Sequence, residues 1–244
     1  YYSVGGGWLM NNESFIQNNL PFIKELRLRY SFGVVGNSSL VPQDYMEVFN
    51  RNPQDLYLGG LCWTLNGFAN PNLKQQNTIQ HNVGVDLGLF NDRISIQFNY
   101  YNFLTNNTLT DMNLPISHGF NAVRGNIGKI RNEGFEWYLN FVLLNSEAKG
   151  IRWNLNANIT RLRNTIVELS EGFKEAIKGQ FREIGTATDA IKYQEGKSMD
   201  AIYGLRSVGI DPTSGQRVFL KADGVTTTLE QNPDDLVYLG DSQP

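Results

Sequence analysis

Charge, cysteine and long apolar runs are all scarce in this chain of 244 residues. Only 18% of residues are charged, against roughly 25% in an ordinary soluble domain. The single cysteine, Cys62, excludes an internal disulfide and any multi-cysteine metal centre. No apolar run reaches the ~18 residues of a transmembrane helix. The net charge of −3, with no basic cluster interleaved with aromatics, argues against a nucleic-acid partner. No G-x-S-x-G, H-E-x-x-H, P-loop or Rossmann fingerprint is present. Asp86 and Glu136 fall on separate strands with nothing pairing them as acid and base. No enzyme activity, catalytic residue or cofactor is therefore expected. The only histidines, His81 and His118, lie on different elements and make an improbable metal pair. YYSVGGGWLM reads as strand rather than as a cleavable leader, so the expectation is an internal portion of something longer.

Against these absences stands one repeated pattern. In IRWNLNANITR, Ile151, Trp153, Leu155, Ala157 and Ile159 alternate with Arg152, Asn154, Asn156, Asn158 and Thr160. This is the period of a strand with one greasy and one wet face. Leu26, Leu28, Tyr30, Phe32 and Val34 alternate in the same way with Arg27, Arg29, Ser31 and Gly33. Val83, Val85, Leu87 and Leu89 oppose Asn82, Gly84, Asp86 and Gly88, and Ile94, Ile96, Phe98 and Tyr100 oppose Ser95, Gln97, Asn99 and Tyr101. Finally, Phe135, Trp137, Leu139, Phe141 and Leu143 oppose Glu136, Tyr138, Asn140 and Val142.

Three features point the greasy faces at lipid. Each segment alternates over about 9 to 11 residues, the span of a tilted membrane strand, rather than the ~5–6 usual in soluble sheets. Tight turns at Asn91-Asp92 and Asn145 to Gly150 interleave with long excursions: Gly36–Gln76, Thr105–Asn132 and one beginning at Leu162. Transmembrane barrels have this arrangement, with short periplasmic turns and long extracellular loops. The wet face is Asn, Gln, Ser, Gly and Tyr with scattered Arg27, Arg29, Asp86, Glu136 and Arg152, a composition suited to a lumen. Tyr30, Tyr100 and Trp137 are candidates for the aromatic girdle.

The fold expected is all-β: a transmembrane antiparallel up-and-down β-barrel, with residues 1–244 supplying about six to eight strands of a larger one. YYSVGGGWLM makes the sixth, and AIYGLRSVGI with QRVFLKADG adds a hairpin through Asp211–Gly215. That turn carries a carboxylate and a hydroxyl without calcium-loop spacing and reads as a plain turn. Asp234 and Asp235 are expected in solvent. In the loops, Tyr57, Trp63, Phe68 and Phe120 offer aromatic faces to a substrate or partner; packing of the loops against their neighbours is the simpler reading. A soluble β-rich carbohydrate-binding or adhesion module, its apolar face buried, is the alternative, and a passive porin a third.

The motifs carry a resemblance. ELRLRYSFGVVGN (Glu25 to Asn37), NVGVDLGLFNDRISIQFNYYN, NIGKIRNEGFEWYLN (Asn126 to Asn140), WNLNANIT and YGLRSVGIDPTSGQRVFLKADG resemble, in order, segments of SusC/RagA-type TonB-dependent transporters of the Bacteroidetes outer membrane. The resemblance implies a barrel of about 22 strands around a plug. It implies a SusD-like surface lipoprotein as lid, energy from TonB, and import of oligosaccharides or peptides across the outer membrane. The plug and TonB box have no counterpart in this chain, so no energy-coupling residue is carried over.

Overall fold

The computed structural model describes residues 1–244 except 38–39, 58–59, 114–118, 121, 147–149, 177–181, 184–188, 192, 230–234 and 242–244. The chain divides into two compact units, Tyr1–Arg163 and Asn164–Pro244.

The first unit is built on one antiparallel sheet. Its strands are β1 (Tyr2–Leu9), β2 (Ile23–Gly36), β5 (Asn77–Leu89), β6 (Ile94–Asn113), β7 (Ala122–Ser146) and β8 (Ile151–Leu169), hydrogen-bonded in that order. A separate hairpin, β3 (Phe49–Tyr57) with β4 (Gly60–Leu65), lies within the excursion between β2 and β5. Up-and-down order follows from the connections: each strand pairs with the next long strand in the sequence.

Register aligns the alternating residues into rows. One face carries Ile23–Leu89–Ile94–Phe141, then Leu26–Leu87–Ile96–Leu139, then Trp8–Leu28–Val85–Phe98–Trp137, then Gly6–Tyr30–Val83–Tyr100–Phe135. The opposite face carries Arg27–Asp86–Gln97–Tyr138 and Gly7–Arg29–Gly84–Asn99–Glu136. A one-residue slip in any strand would exchange the two sets. The apolar face is exposed: Trp153 is 59%, Leu155 52% and Val83 42% accessible.

The tight turn at Asn91-Asp92 forms as expected, and residues 147–149 of the other, Asn145 to Gly150, lie outside the described residues. The β5–β6 turn holds Phe90, Asn91 and Asp92 at φ of 54°, 56° and 63°. Asn and Asp tolerate the left-handed region, whereas Phe pays about 1–2 kcal/mol there. Phe90 recovers part of this by stacking on Phe22, centroids 5.7 Å apart, and donating its amide to the Phe22 carbonyl at 2.9 Å. Sequence reading missed this aromatic pair at the turn end of the sheet.

The second excursion departs from expectation. Most of 105–132 is strand, because β6 runs on to Asn113 and β7 starts at Ala122. A bulge between Thr105 and Leu109, with Asn107 at φ 52°, lets the extended hairpin bend. The span beginning at Leu162 differs as well: β8 continues to Leu169, and its last six residues, from Asn164, belong with the remainder of the chain to the second unit.

That unit contains β9 (Arg182–Glu183), β10 (Asp189–Ile191), β11 (Ala201–Gly204), β12 (Arg206–Ile210), β13 (Arg217–Leu220), β14 (Thr227–Thr228) and β15 (Val237–Asp241). They form two small sheets, β15-β11-β10-β9 and β12-β13-β14. The expected hairpin through Asp211–Gly215 does form, as β12 and β13, but in its own sheet rather than the long one. Ile166, Leu169, Phe173, Ala201, Tyr203 and Phe219 make this unit's core. Asp235, expected in solvent, is buried and accepts the Ala222 amide at 2.9 Å, so it caps a turn. Asp234 and His118 lie outside the described residues.

Candidate functional site

The polar face of the long sheet is organised around Arg29. Its Nη2 donates to Asp86 Oδ1 at 2.7 Å and to Asn99 Oδ1 at 3.1 Å. Between these partners sits Gly84, which leaves room for the guanidinium: a Cβ there would lie 2.9 Å from it, and the arginine would have to shift. The Asp86 carboxylate is largely shielded and the arginine half-exposed, so the pair contributes about 1 kcal/mol or less. Gly5, Gly6 and Gly7 on β1 leave bare backbone beside Arg27 and Arg29, opening a concavity of ≈ 460 Å³. Arg27 pairs with Glu25 at 3.3 Å. Glu136 stands opposite Asn99 in the Arg29 row, and Arg152 is exposed on β8. Of the five charged residues singled out on this face, the structure therefore brings Arg29 and Asp86 into contact.

The aromatic candidates fall into two groups. Phe68 and Phe120, from different loops, meet edge to face with centroids 4.9 Å apart. Trp63 on β4 stands 65% exposed, opposite Arg51 of β3, with Phe49 and Leu65 paired two positions along the same hairpin face. Tyr57 pairs with Gly60 at the hairpin's end; its side chain lies outside the described residues.

A clasp that sequence reading missed fixes the return limb of this first loop. Asn126 on β7 accepts the Lys74 amide at 2.8 Å and donates to the carbonyls of Lys74 at 2.9 Å and Asn107 at 2.8 Å. Gln76 accepts the Leu109 amide at 3.0 Å, and Asn70 donates to the Arg124 carbonyl at 3.2 Å. Arg124 also reaches Asp44 at 3.7 Å. An amide side chain can both donate to and accept from backbone, so these residues pair loop backbone as a strand would. The signal was the asparagines themselves, which strands ordinarily disfavour.

The same motif holds a packing glycine. At Gly134 a Cβ would collide with the Arg161 carbonyl and sit 2.6 Å from the Tyr101 hydroxyl. NIGKIRNEG thus combines a loop clasp at Asn126, a bulge glycine at Gly128 with φ 139°, and a close approach at Gly134.

The family model for the TonB dependent receptor-like β-barrel matches residues 3–197. The chain belongs to this family. Among curated relatives of this receptor barrel, TonB-dependent receptor P39 of Formosa agariphila is 29% identical over 91% of the chain and 20% of its own length. TonB-dependent receptor P26 of the same organism is 31% identical over 69% of the chain and 17% of its length. TonB-dependent receptor SusC of Bacteroides thetaiotaomicron is 28% identical over 70% and 17%. The receptor-barrel chain therefore spans about a fifth of the relatives it matches. The solved structure of the RagAB peptide transporter shares the fold, with TM-score 0.79 at 24% identity, over 97% of this chain and 25% of that one. An open sheet with β1 and β8 at its edges is what a portion of a larger barrel presents.

Proposed function

We propose that residues 1–244 all belong to the β-barrel domain of an outer-membrane importer that takes up oligosaccharides or peptides, with a SusD-like surface lipoprotein as partner and TonB as energy source. The observation that carries this reading is the exposed apolar face, continuous across six strands and backed by a polar face of Arg29, Asp86, Asn99 and Glu136. Lipid covers the first face, and the second lines the lumen. The importer's wall contributes rigidity, since every backbone amide of a membrane strand needs a partner within the sheet. Its outward extensions, the β3–β4 hairpin with Trp63, the first loop with Phe68 and the β6–β7 connection with Phe120, shape the vestibule where cargo or lid docks. Trp63, exposed beside Arg51, is the contact we assign to cargo or lid.

The test uses the full-length protein. Affinity-tagged protein is expected in the outer-membrane fraction, to co-purify with a surface lipoprotein, and to be required for uptake of one glycan or peptide class. Recovery as an aqueous monomer would favour the soluble binding module; uptake that persists without TonB would favour a passive porin.

A further inference from the structure

Above the apolar rows, polar and charged side chains enter the same face on β5, β6 and β7, while β1 and β2 stay apolar. The next row reads Val4–Phe32–His81–Asn102–Glu133, and the one beyond it Tyr2–Val34–Ile79–Leu104–Arg131. His81 is held in place by the Tyr30 hydroxyl, 3.0 Å from its Nδ1. From Phe90 at the turn end to His81 is nine residues. That is about 30 Å along a strand at ~3.3 Å per residue, or about 23 Å along the barrel axis at a tilt of ~40°, close to the ~25 Å apolar band of such barrels. The His81 row therefore sits at the edge of the hydrocarbon.

Strand β8 adds charge at that height. Strict alternation from Trp153, Leu155, Ala157 and Ile159 carries Arg161 and Arg163 onto the same face. The contact between Gly134 and the Arg161 carbonyl fixes their level beside residues 133–135 of β7. Arg131, Arg161 and Arg163 are all exposed, and none makes an ion pair among the described residues. Glu133 is the one carboxylate among them on this face. Strand spacing of ~4.8 Å and a two-residue step of ~6.6 Å place the three arginines around one small area.

We propose that Arg131, Arg161 and Arg163 form a docking surface for the phosphorylated headgroup of an outer-leaflet lipid, whose acyl chains cover the apolar rows beneath. Guanidinium geometry matches phosphate bidentately. The phosphate belongs to a lipid rather than to free solute because the surface continues without a break into the apolar band, around Phe135, Trp137 and Ile159. The proposal rests on the lipid-facing reading given above.

The experiment uses full-length protein purified in detergent, delipidated, and titrated with dioleoyl phosphatidic acid or dioleoylglycerol, with bound lipid counted by native mass spectrometry. Near an anionic surface each arginine is worth about fivefold in partitioning, so R131Q/R161Q/R163Q should weaken phosphatidic acid binding by roughly a hundredfold. Dioleoylglycerol binding should be weak and unchanged by the substitutions. The triple Lys variant should recover much of the affinity, and inorganic phosphate at equal concentration should not displace the lipid. Equal phosphatidic acid binding by wild type and the Gln variant would overturn the proposal, as would equal retention of both lipids or ready displacement by free phosphate. Heat-modifiable mobility on gels verifies that each variant is folded. Lipid quenching of a probe at Ile96 separates the two failures: absence of quenching there sinks the lipid-facing reading itself, whereas quenching with unaltered binding sinks only the headgroup site.

Discussion

Replacing Leu28 by Arg places a charge in the row Trp8–Leu28–Val85–Phe98–Trp137, which lies midway between the Phe22–Phe90 stack and the His81 row. If hydrocarbon covers that row, the substitution costs about 2–4 kcal/mol, the value for Arg at the bilayer midplane of a barrel. Val34 shares the face but lies past His81, so Val34→Arg should cost only about 0–1 kcal/mol. Gln97→Arg, on the polar face, should stay within about 0.5 kcal/mol. The ordering matters more than the individual values, because Leu28 and Val34 share strand and face and differ in depth. Folding of the full-length barrel into phosphatidylcholine vesicles, followed by guanidinium titration and Trp fluorescence, reads all three. A soluble core would make both Leu28→Arg and Val34→Arg severe, and a water-exposed sheet would make both negligible. Either pattern refutes the reasoning.

Other consequences are local. Gly134→Ala forces a methyl group against the Arg161 carbonyl and the Tyr101 ring and should destabilise by about 1–3 kcal/mol, seen as a lower denaturation midpoint; no loss would mean the strands separate freely there. Asn126→Ala removes three bonds to loop and hairpin backbone, so the Lys74 amide should exchange faster by at least about tenfold while the membrane strands stay protected. In the second unit, hydrogen bonds from the Ser214 hydroxyl and from the Thr213 and Ser214 amides hold Asp211 below its ordinary value of 3.8. A depressed carboxylate contributes stability above its unfolded value and loses it as pH falls through the folded one. The β12–β13 turn should therefore keep its amide protection from neutrality down to about pH 4 and lose it below, and Asp211→Asn should abolish that acid step.

The long strands could be read from sequence because period-two alternation is imposed by the environment of each face and survives without tertiary information. Leu26 to Val34 and Ile94 to Tyr100 declare their face residue by residue, and the register of β2, β5, β6 and β7 then follows from matching like with like. The second unit could not be read this way. Its strands run from two to five residues, too short for a period to accumulate, and its core draws on isolated Ile166, Phe173 and Tyr203. The extension of β6 and β7 beyond the apolar band was hidden because Asn106, Asn107, Thr108 and Asn126 look like loop residues. Their side chains are instead engaged within the structure: Asn106 donates to the Asn77 side chain at 3.0 Å, and Asn126 donates to the Asn107 carbonyl in the clasp. Asp235 was misjudged for a related reason: charge suggests solvent unless a backbone donor such as Ala222 is in reach, and that depends on a turn invisible in sequence.

Adjacent residues give the most direct test of which solvent meets the apolar face. In an otherwise cysteine-free background, Ile96→Cys and Gln97→Cys carry a bimane label in the full-length protein reconstituted with mid-chain brominated lipid. Lipid should quench the probe at position 96 strongly and that at position 97 weakly, while aqueous iodide should show the reverse order. Equal quenching at the two positions, or stronger lipid quenching at position 97, would contradict the assignment of Leu26, Val85, Ile96 and Leu139 to the hydrocarbon.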